Sequence, residues 1–272
     1  MSTIIYPSPI FGPVHSRRLG LSLGINLLPA DGKVCTFDCV YCECGFNGDH
    51  RPTLPLPTRE QVAQRLEQTL QQMHHDGQLP DVLTFAGNGE PTSHPHFAEI
   101  IGDTLRLRDR YCPGARVSVL SNATFLHRPA VHDALMLVDN NIQKLDTADP
   151  TYINMVDRPS GHYDVSKVIA QLQAFHGHVI IQTIFMRGSI DRRLVAGDVP
   201  LTADGRVSVD NTGEEYVGPW LSAVQAIRPQ QVMVYTVDRE TPAQGILKAT
   251  HEQLDAIRDR VVACGIACTA SY

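Results

Sequence analysis

At 272 residues, with 43% hydrophobic and 19% charged side chains, the chain has the balance of an ordinary globular protein with a sizeable core, long enough for one α/β barrel. A formal charge of −6 excludes global attraction to nucleic acid. Local basic groups at Arg17 and Arg18, at Arg106, Arg108 and Arg110, and at Arg192 and Arg193 read first as solvated surface charge. Apolar runs such as residues 179–185 are strand-length and cannot span a bilayer, and residues 1–9 lack a basic region followed by an apolar stretch, so a cytosolic protein with no membrane segment is expected.

In chain order, residues 21–28 read as a first strand, followed by a cysteine-bearing loop. Thr58 opens a helix: Thr58 and Gln61 have capping-box spacing, and Val62, Leu66, Leu70 and Met73 form one apolar stripe. Residues 81–86 are a short buried strand ending in Gly87-Asn88-Gly89; a helix over about 97–108 and a strand over 116–120 follow. Next come a helix near 129–137, a strand over 142–145, and a helix over 165–175 that leads through Gly177 to a strand over 178–186. Residues 187–211, rich in Gly, Asp and Arg, are expected to form a long loop, either a lid or a surface insertion. Thr212 and Glu215 predict a second capping box, opening a helix to about residue 227 before a strand over 231–237. The last helix starts at the box Thr250 and Gln253, buries Leu254, Ile257 and Val261, and ends at Gly265; residues 266–270 make a final short strand.

Six βα units in series predict a parallel sheet curled into a barrel or part of one. A doubly wound open sheet is the alternative, because alternation alone does not decide closure. In barrels the chemistry sits where strands end and loops begin.

Seven cysteines are present, four of them at positions 35, 39, 42 and 44. A reducing compartment disfavours disulfides and turns attention to metal or redox chemistry. Cys35, Cys39 and Cys42 have the spacing C-x3-C-x2-C. Three thiolates can hold three irons of a cubane and leave the fourth open, whereas an electron-transfer cluster normally has four thiolate ligands. Two other arrangements stay open: a saturated cluster with Cys44 as fourth ligand, and a zinc site completed by Cys264 and Cys268, whose spacing is a weak match.

With Tyr41 before its third cysteine, this motif resembles the hallmark of the radical S-adenosylmethionine (SAM) superfamily. The likeness is to a bacterial and archaeal group of iron–sulfur oxidoreductases related to the wybutosine-synthesis and molybdenum-cofactor-synthesis radical enzymes. It is carried by Gly12-Pro-Val-His-Ser-Arg-Arg-Leu-Gly20, the Cys35 to Cys44 segment, Gly87-Asn-Gly-Glu-Pro-Thr92 and Leu120-Ser-Asn-Ala-Thr124. Lys144-Leu-Asp146, residues 182–188 and Tyr235-Thr-Val-Asp-Arg-Glu-Thr-Pro242 continue it over nearly the whole chain.

The resemblance implies a partial (βα)6 TIM-like barrel as a single domain over residues 1–272, with a core of about 18–240. It implies a [4Fe–4S] cluster on Cys35, Cys39 and Cys42, chelation of the open iron by S-adenosyl-L-methionine, and reductive cleavage to a 5′-deoxyadenosyl radical. Flavodoxin or ferredoxin would supply the electron. Gly89 and Glu90 stand where the superfamily binds the methionine amino group, the reading favoured if the cluster is present; a tight strand-to-helix turn with a charged rim residue is the alternative. Ser121 and Asn122 end the third strand, either as polar contacts to the cofactor or as turn-shaping residues. Lys144 and Asp146, two apart, point to one face, as an ion pair or as contacts to the cofactor carboxylate and ribose. Gln182 is expected to face the barrel interior, towards the cofactor or within a hydrogen-bond network.

His15, His94 and His162 lack ligand spacing. Asp238 and Arg239 fit an ion pair as well as a substrate contact, and Cys112, Cys264 and Cys268 read as free thiols. Kinship with the wybutosine enzyme suggests tRNA as substrate, while the acidic balance suggests a small molecule or peptide.

Overall fold

A computed structural model describes residues 3–16 and 20–272; Arg17 and Arg18 lie outside the described residues. The chain divides into two compact units. One comprises Ile5–Cys35 and Asn47–Gln143, here the N-terminal unit; the other comprises Thr36–Phe46 and Lys144–Tyr272 with residues up to Ile4, here the C-terminal unit.

In the N-terminal unit the chain runs β1 (Ile10–Ser16), β2 (Gly20–Ile25), α1 (Arg59–His75), β3 (Val82–Phe85), α2 (Phe97–Tyr111), β4 (Arg116–Ser121), α3 (Pro129–Leu135) and β5 (Asn140–Lys144). The α1 capping box forms as expected: Gln61 N donates to Thr58 Oγ1 at 3.2 Å and Thr58 N to Gln61 Oε1 at 2.8 Å. Val62, Leu66, Leu70 and Met73 are buried, so the apolar stripe is the face that meets the core. Strands β2, β3, β4 and β5 pair in parallel as sequential neighbours. A doubly wound sheet would reverse its strand order, and this unit shows no reversal.

Strand β1 was not expected from the sequence. It pairs antiparallel with β2 alone, and its register shifts between Phe11 and Val14, around Pro13. Proline lacks a ladder donor, so an edge strand with an irregularity is where it fits.

The C-terminal unit continues with α4 (Pro150–Tyr152), α5 (Val165–Gln173), β6 (Ile180–Ile184), β7 (Met186–Ile190), β8 (Val207–Ser208), α6 (Glu214–Ile227), β9 (Gln231–Tyr235), β10 (Ile246–Lys248), α7 (His251–Ala263) and β11 (Cys268–Ser271). Strands β6, β9 and β11 pair in parallel. The long loop expected over 187–211 is corrected here. Part of it folds as β7 and β8, which with β10 make a three-stranded antiparallel sheet. The expected strand over 178–186 accordingly ends at Ile184, and Met186 begins β7.

The second capping box is also corrected. Helix α6 begins after Gly213 with no side-chain cap. The Thr212 hydroxyl is engaged elsewhere, donating to Asp210 Oδ1 at 2.7 Å and accepting from Gln253 Nε2 at 2.8 Å. The box at Thr250 and Gln253 forms, α7 buries Leu254, Ile257 and Val261, and Gly265 follows in the left-handed region at φ +78°. Among the described residues, no helix is long and apolar enough to cross a membrane.

Thr36–Phe46 belongs to the C-terminal unit because Val40 packs into an apolar cluster with Tyr152, Met155, Val156, Ile184 and Met186. Tyr41 and Phe46 flank the same cluster.

Candidate functional site

In the N-terminal unit the chain leaves β3 through Gly87 and Gly89, both at positive φ. At Gly89, φ is +143° and a Cβ would lie 1.8 Å from the Val34 carbonyl oxygen, so only glycine fits. The close approach has a purpose: Val34 N donates to Asn88 O at 2.9 Å and Glu90 N to Val34 O at 3.3 Å. These bonds fix the residue immediately before Cys35. Asn88 is fully buried, with Nδ2 donating to Tyr6 O and Pro29 O, both at 2.8 Å, and Oδ1 accepting from Tyr6 N at 2.7 Å.

Glu90 is 2% exposed. Its Oε2 accepts from Asn122 N at 2.6 Å, and its Oε1 from Thr92 N at 3.0 Å and from the Thr92 hydroxyl. Burial pushes the Glu90 carboxyl above its ordinary range, opposed by the bonds from Asn122 and Thr92. The carboxylate therefore ties the loop after β3 to the turn after β4. In that turn, Ala123 N donates to Ser121 Oγ at 3.0 Å, and Asn122 Oδ1 accepts from Thr124 N at 3.2 Å. Asn122 thus shapes the turn. It also reaches the motif, with Nδ2 donating to Cys35 Sγ at 3.6 Å, while Asn47 Nδ2 donates to Cys35 O at 3.2 Å.

The C-terminal unit holds Cys39, Cys42 and Cys44. The segment from Thr36 lies along the chain that follows α4: Asp38 N donates to Asp157 O at 3.0 Å, Val40 N to Val156 O at 2.9 Å, and Ser160 N to Thr36 O at 2.8 Å. Ile153–Asp157 is a single widened π turn, a form that alters side-chain direction at a helix end. It brings Asp157 beside Lys144, with Nζ to Oδ1 at 2.5 Å. Lys144 Nζ is also 3.1 Å from Asp146 Oδ2 and 3.1 Å from Cys39 Sγ. The ring centres of Phe37 and Tyr41 lie 4.9 and 4.8 Å from the ammonium. The Tyr41 hydroxyl donates to Asp146 Oδ2, with Asp157 Oδ1 at 3.2 Å.

Burial works against the Lys144 charge, but Asp146, Asp157 and Cys39 outweigh it and hold the ammonium well above its ordinary value. Burial pushes the Asp157 carboxyl up to about 7, opposed by Lys144 and reinforced by Asp146. Burial, with Asp146 next, raises the Tyr41 phenol far above its usual range, so it stays a donor. The ion-pair expectation for Lys144 and Asp146 is met, with a third member, Asp157, that has no sequence signal. Asp146 lies just beyond β5 and accepts from Ile184 N at 3.0 Å through Oδ1.

Gln182 is half-buried on β6, in register with Met233, and its carbonyl accepts from Leu145 N at 3.1 Å. Both nitrogens of His94 are engaged, with Pro57 O at 2.9 Å and His96 N at 3.1 Å. Asp238 and Arg239 pair with Lys248 and Glu43 at 3.3 and 2.8 Å. Cys112 and Cys268 are free thiols that burial pushes up to about 11, inert at neutral pH.

Among the described residues, no three His, Cys, Asp or Glu side chains are already gathered as metal ligands. The chemistry of the donor set nonetheless fits a cluster. Cys35, Cys39 and Cys42 offer three thiol sulfurs, and those of Cys35 and Cys39 accept from Asn122 and Lys144. Hydrogen-bond donors and a nearby cation favour the thiolate, the form that ligates metal. The sequence reading missed Asn88, although it stands between two glycines in a flagged motif; it also missed Asp157 and Asn47.

No family model matches the chain. A UPF0026 protein of Helicobacter pylori strain J99 is 32% identical over 202 residues, 72% of this chain and 61% of that protein. A UPF0026 protein of Synechocystis is 30% identical over 186 residues, 65% of this chain and 64% of that protein. The chain thus spans about three fifths of the length of these relatives. Among solved structures, a radical SAM methyltransferase from Sphaerobacter thermophilus superposes with TM-score 0.63 at 12% identity, over 92% of this chain and 66% of that one. Streptococcus suis SuiB bound to S-adenosylmethionine gives 0.60 at 13%, over 91% and 50%. TYW1 with a lysine-pyruvate adduct gives 0.55 at 11%, over 89% and 73%. At such identities the likeness is one of fold. The resemblance read from the cysteine motif is borne out: this chain has the α/β partial-barrel fold of the radical SAM enzymes and sequence relatives among the UPF0026 proteins.

Proposed function

We propose that this protein is a radical SAM enzyme in which Cys35, Cys39 and Cys42 ligate a [4Fe–4S] cluster that also binds S-adenosylmethionine. The observation that carries the reading is the C-x3-C-x2-C spacing of Cys35, Cys39 and Cys42, with Tyr41 before the third, on a chain whose fold neighbours include a SAM-bound enzyme. When bound, the cluster would deliver one electron to the sulfonium and release methionine and a 5′-deoxyadenosyl radical.

The chain's own residues bind and orient. Gly89, Ser121, Asn122 and Gln182 offer backbone and side-chain polar groups to the cofactor. Glu90 in the N-terminal unit, and Lys144 and Asp146 in the C-terminal unit, take mainly supporting roles because their charges are already engaged. Glu90 holds the turn that presents Asn122, and the ion pair holds the Cys39 segment. Flavodoxin or ferredoxin is the proposed reductant, and the cytosol the proposed location. The substrate class is a small molecule, a peptide or tRNA. SuiB is seen with a precursor peptide, an observation that belongs to that protein.

Anaerobic reconstitution with iron, sulfide, dithionite and S-adenosylmethionine tests the reading. Formation of 5′-deoxyadenosine by wild type, lost in Cys39→Ala and kept in Cys44→Ala, is expected. A fully reconstituted cluster that cleaves nothing, and that loses a ligand when Cys44 is removed, would instead identify an electron carrier.

A further inference from the structure

We infer that Lys144 is a positioning residue for the cluster itself: clamped by two carboxylates, it is a fixed cationic donor to the Cys39 sulfur that raises the cluster's reduction potential. This rests on the proposed cluster ligation by Cys39.

A lysine ammonium has three N–H donors and no acceptor. Two of them form hydrogen bonds in the structure, to Asp157 Oδ1 (2.5 Å) and Cys39 Sγ (3.1 Å), and Asp146 Oδ2 stands 3.1 Å from the ammonium as an ion pair. Each partner is itself anchored. Asp146 receives Ile184 N and the Tyr41 hydroxyl; the Asp157 carbonyl receives Asp38 N, in the same segment as Cys39. The faces of Phe37 and Tyr41 lie within 5 Å of the ammonium, the range of a cation–π contact. The flexible lysine stem is thereby held in one pose, with a donor aimed at one sulfur. Cys39 is 9% exposed, so water does little to screen that contact.

The sequence suggested that Lys144 meets the cofactor carboxylate. The ammonium is already hydrogen-bonded to Asp157 and Cys39 and paired with Asp146, so its charge is largely met by this chain's own groups. Acting on the sulfur requires no rearrangement. Hydrogen bonds and positive charge at a cluster ligand stabilise the electron-rich reduced state, so they raise the potential. Asp146 and Asp157 set the other side of the balance: without Lys144 they would leave negative charge beside the ligand.

The test uses the reconstituted full chain and reads the one-electron midpoint potential by redox titration monitored by electron paramagnetic resonance, with iron and sulfide content measured on the same samples. Lys144→Met is expected to shift the reduction equilibrium at least tenfold toward the oxidised state, about 59 mV for one electron. Lys144→Gln, which keeps an N–H donor without the charge, should fall between. Lys144→Arg should restore most of the shift. Should the Met variant fail to fold, the Gln and Arg pair still gives the ordering. Equal potentials in cluster-replete wild type and Lys144→Gln would overturn the inference while leaving cluster ligation intact. A wild-type chain that takes up no cluster would overturn the ligation reading, and this inference with it.

Discussion

Cys35 and Cys39, four residues apart, are secured by different means. Around Cys35 the N-terminal unit uses neutral and backbone contacts: the Val34–Gly89 approach, the buried Asn88 amide, and the Asn122 turn. Around Cys39 the C-terminal unit uses charge, with a partly buried ammonium against two buried carboxylates and two aromatic rings. Backbone bonds and a steric fit hold position, and the Asn122 amide brings the Cys35 sulfur a neutral dipole rather than a formal charge. A buried ion network costs desolvation and is a weak route to stability. Its presence beside one cysteine is better explained by what it does to that sulfur.

The difference can be broken from either side. The largest effect is expected from Lys144→Met, which leaves the buried Asp146 and Asp157 carboxyls without their cation; unfolding in denaturant should show a loss of about 3–5 kcal/mol. A loss under about 1 kcal/mol would mean that the network is solvated and behaves like a surface pair. Gly89→Ala attacks the other side. It combines a disfavoured backbone conformation with a backbone clash, and about 2–4 kcal/mol should be lost in the same assay. A variant of wild-type stability would show that the Val34 approach is not required.

Glu90→Gln sharpens the comparison, because Glu90 is a buried carboxyl that holds the turn presenting Asn122 to Cys35. Burial raises its folded value, so folding favours the protonated carboxyl. The stability this contributes is complete below the ordinary value of 4.5 and is lost as pH rises through the raised folded value. Stability of the wild type minus that of Glu90→Gln, measured over a pH series, should therefore fall with rising pH. The amide would also present N–H groups where Asn122 and Thr92 donate, a loss of about 1–3 kcal/mol. Parallel pH profiles would mean that Glu90 titrates alike in both states.

Much of this was legible in the sequence, and the failures are instructive. The boxes at Thr58 and Thr250 formed because each needs only residues three apart. The same spacing at Thr212 failed because Asp210 takes both its amide and its hydroxyl, and Gln253, 41 residues away, donates to that hydroxyl as well. Strand β7 was invisible because its partner, β10, lies nearly 60 residues on, with Ile246 opposite Gly188. Lys144 and Asp146 could be flagged as two charges on one face, but Asp157 could not, since only a π turn carries it to the ammonium.

By itself, then, the sequence determined what is local: the helix caps, the apolar stripes, the order of strands and helices, and the spacing of three thiols. Those features depend on neighbouring residues and on a repeat that can be read along the chain. Only the tertiary structure decided which group meets which sulfur and which charges are buried together. Such contacts are set by desolvation and packing between segments distant in the chain; Lys144 is 105 residues from Cys39. No local pattern in the chain records that distance.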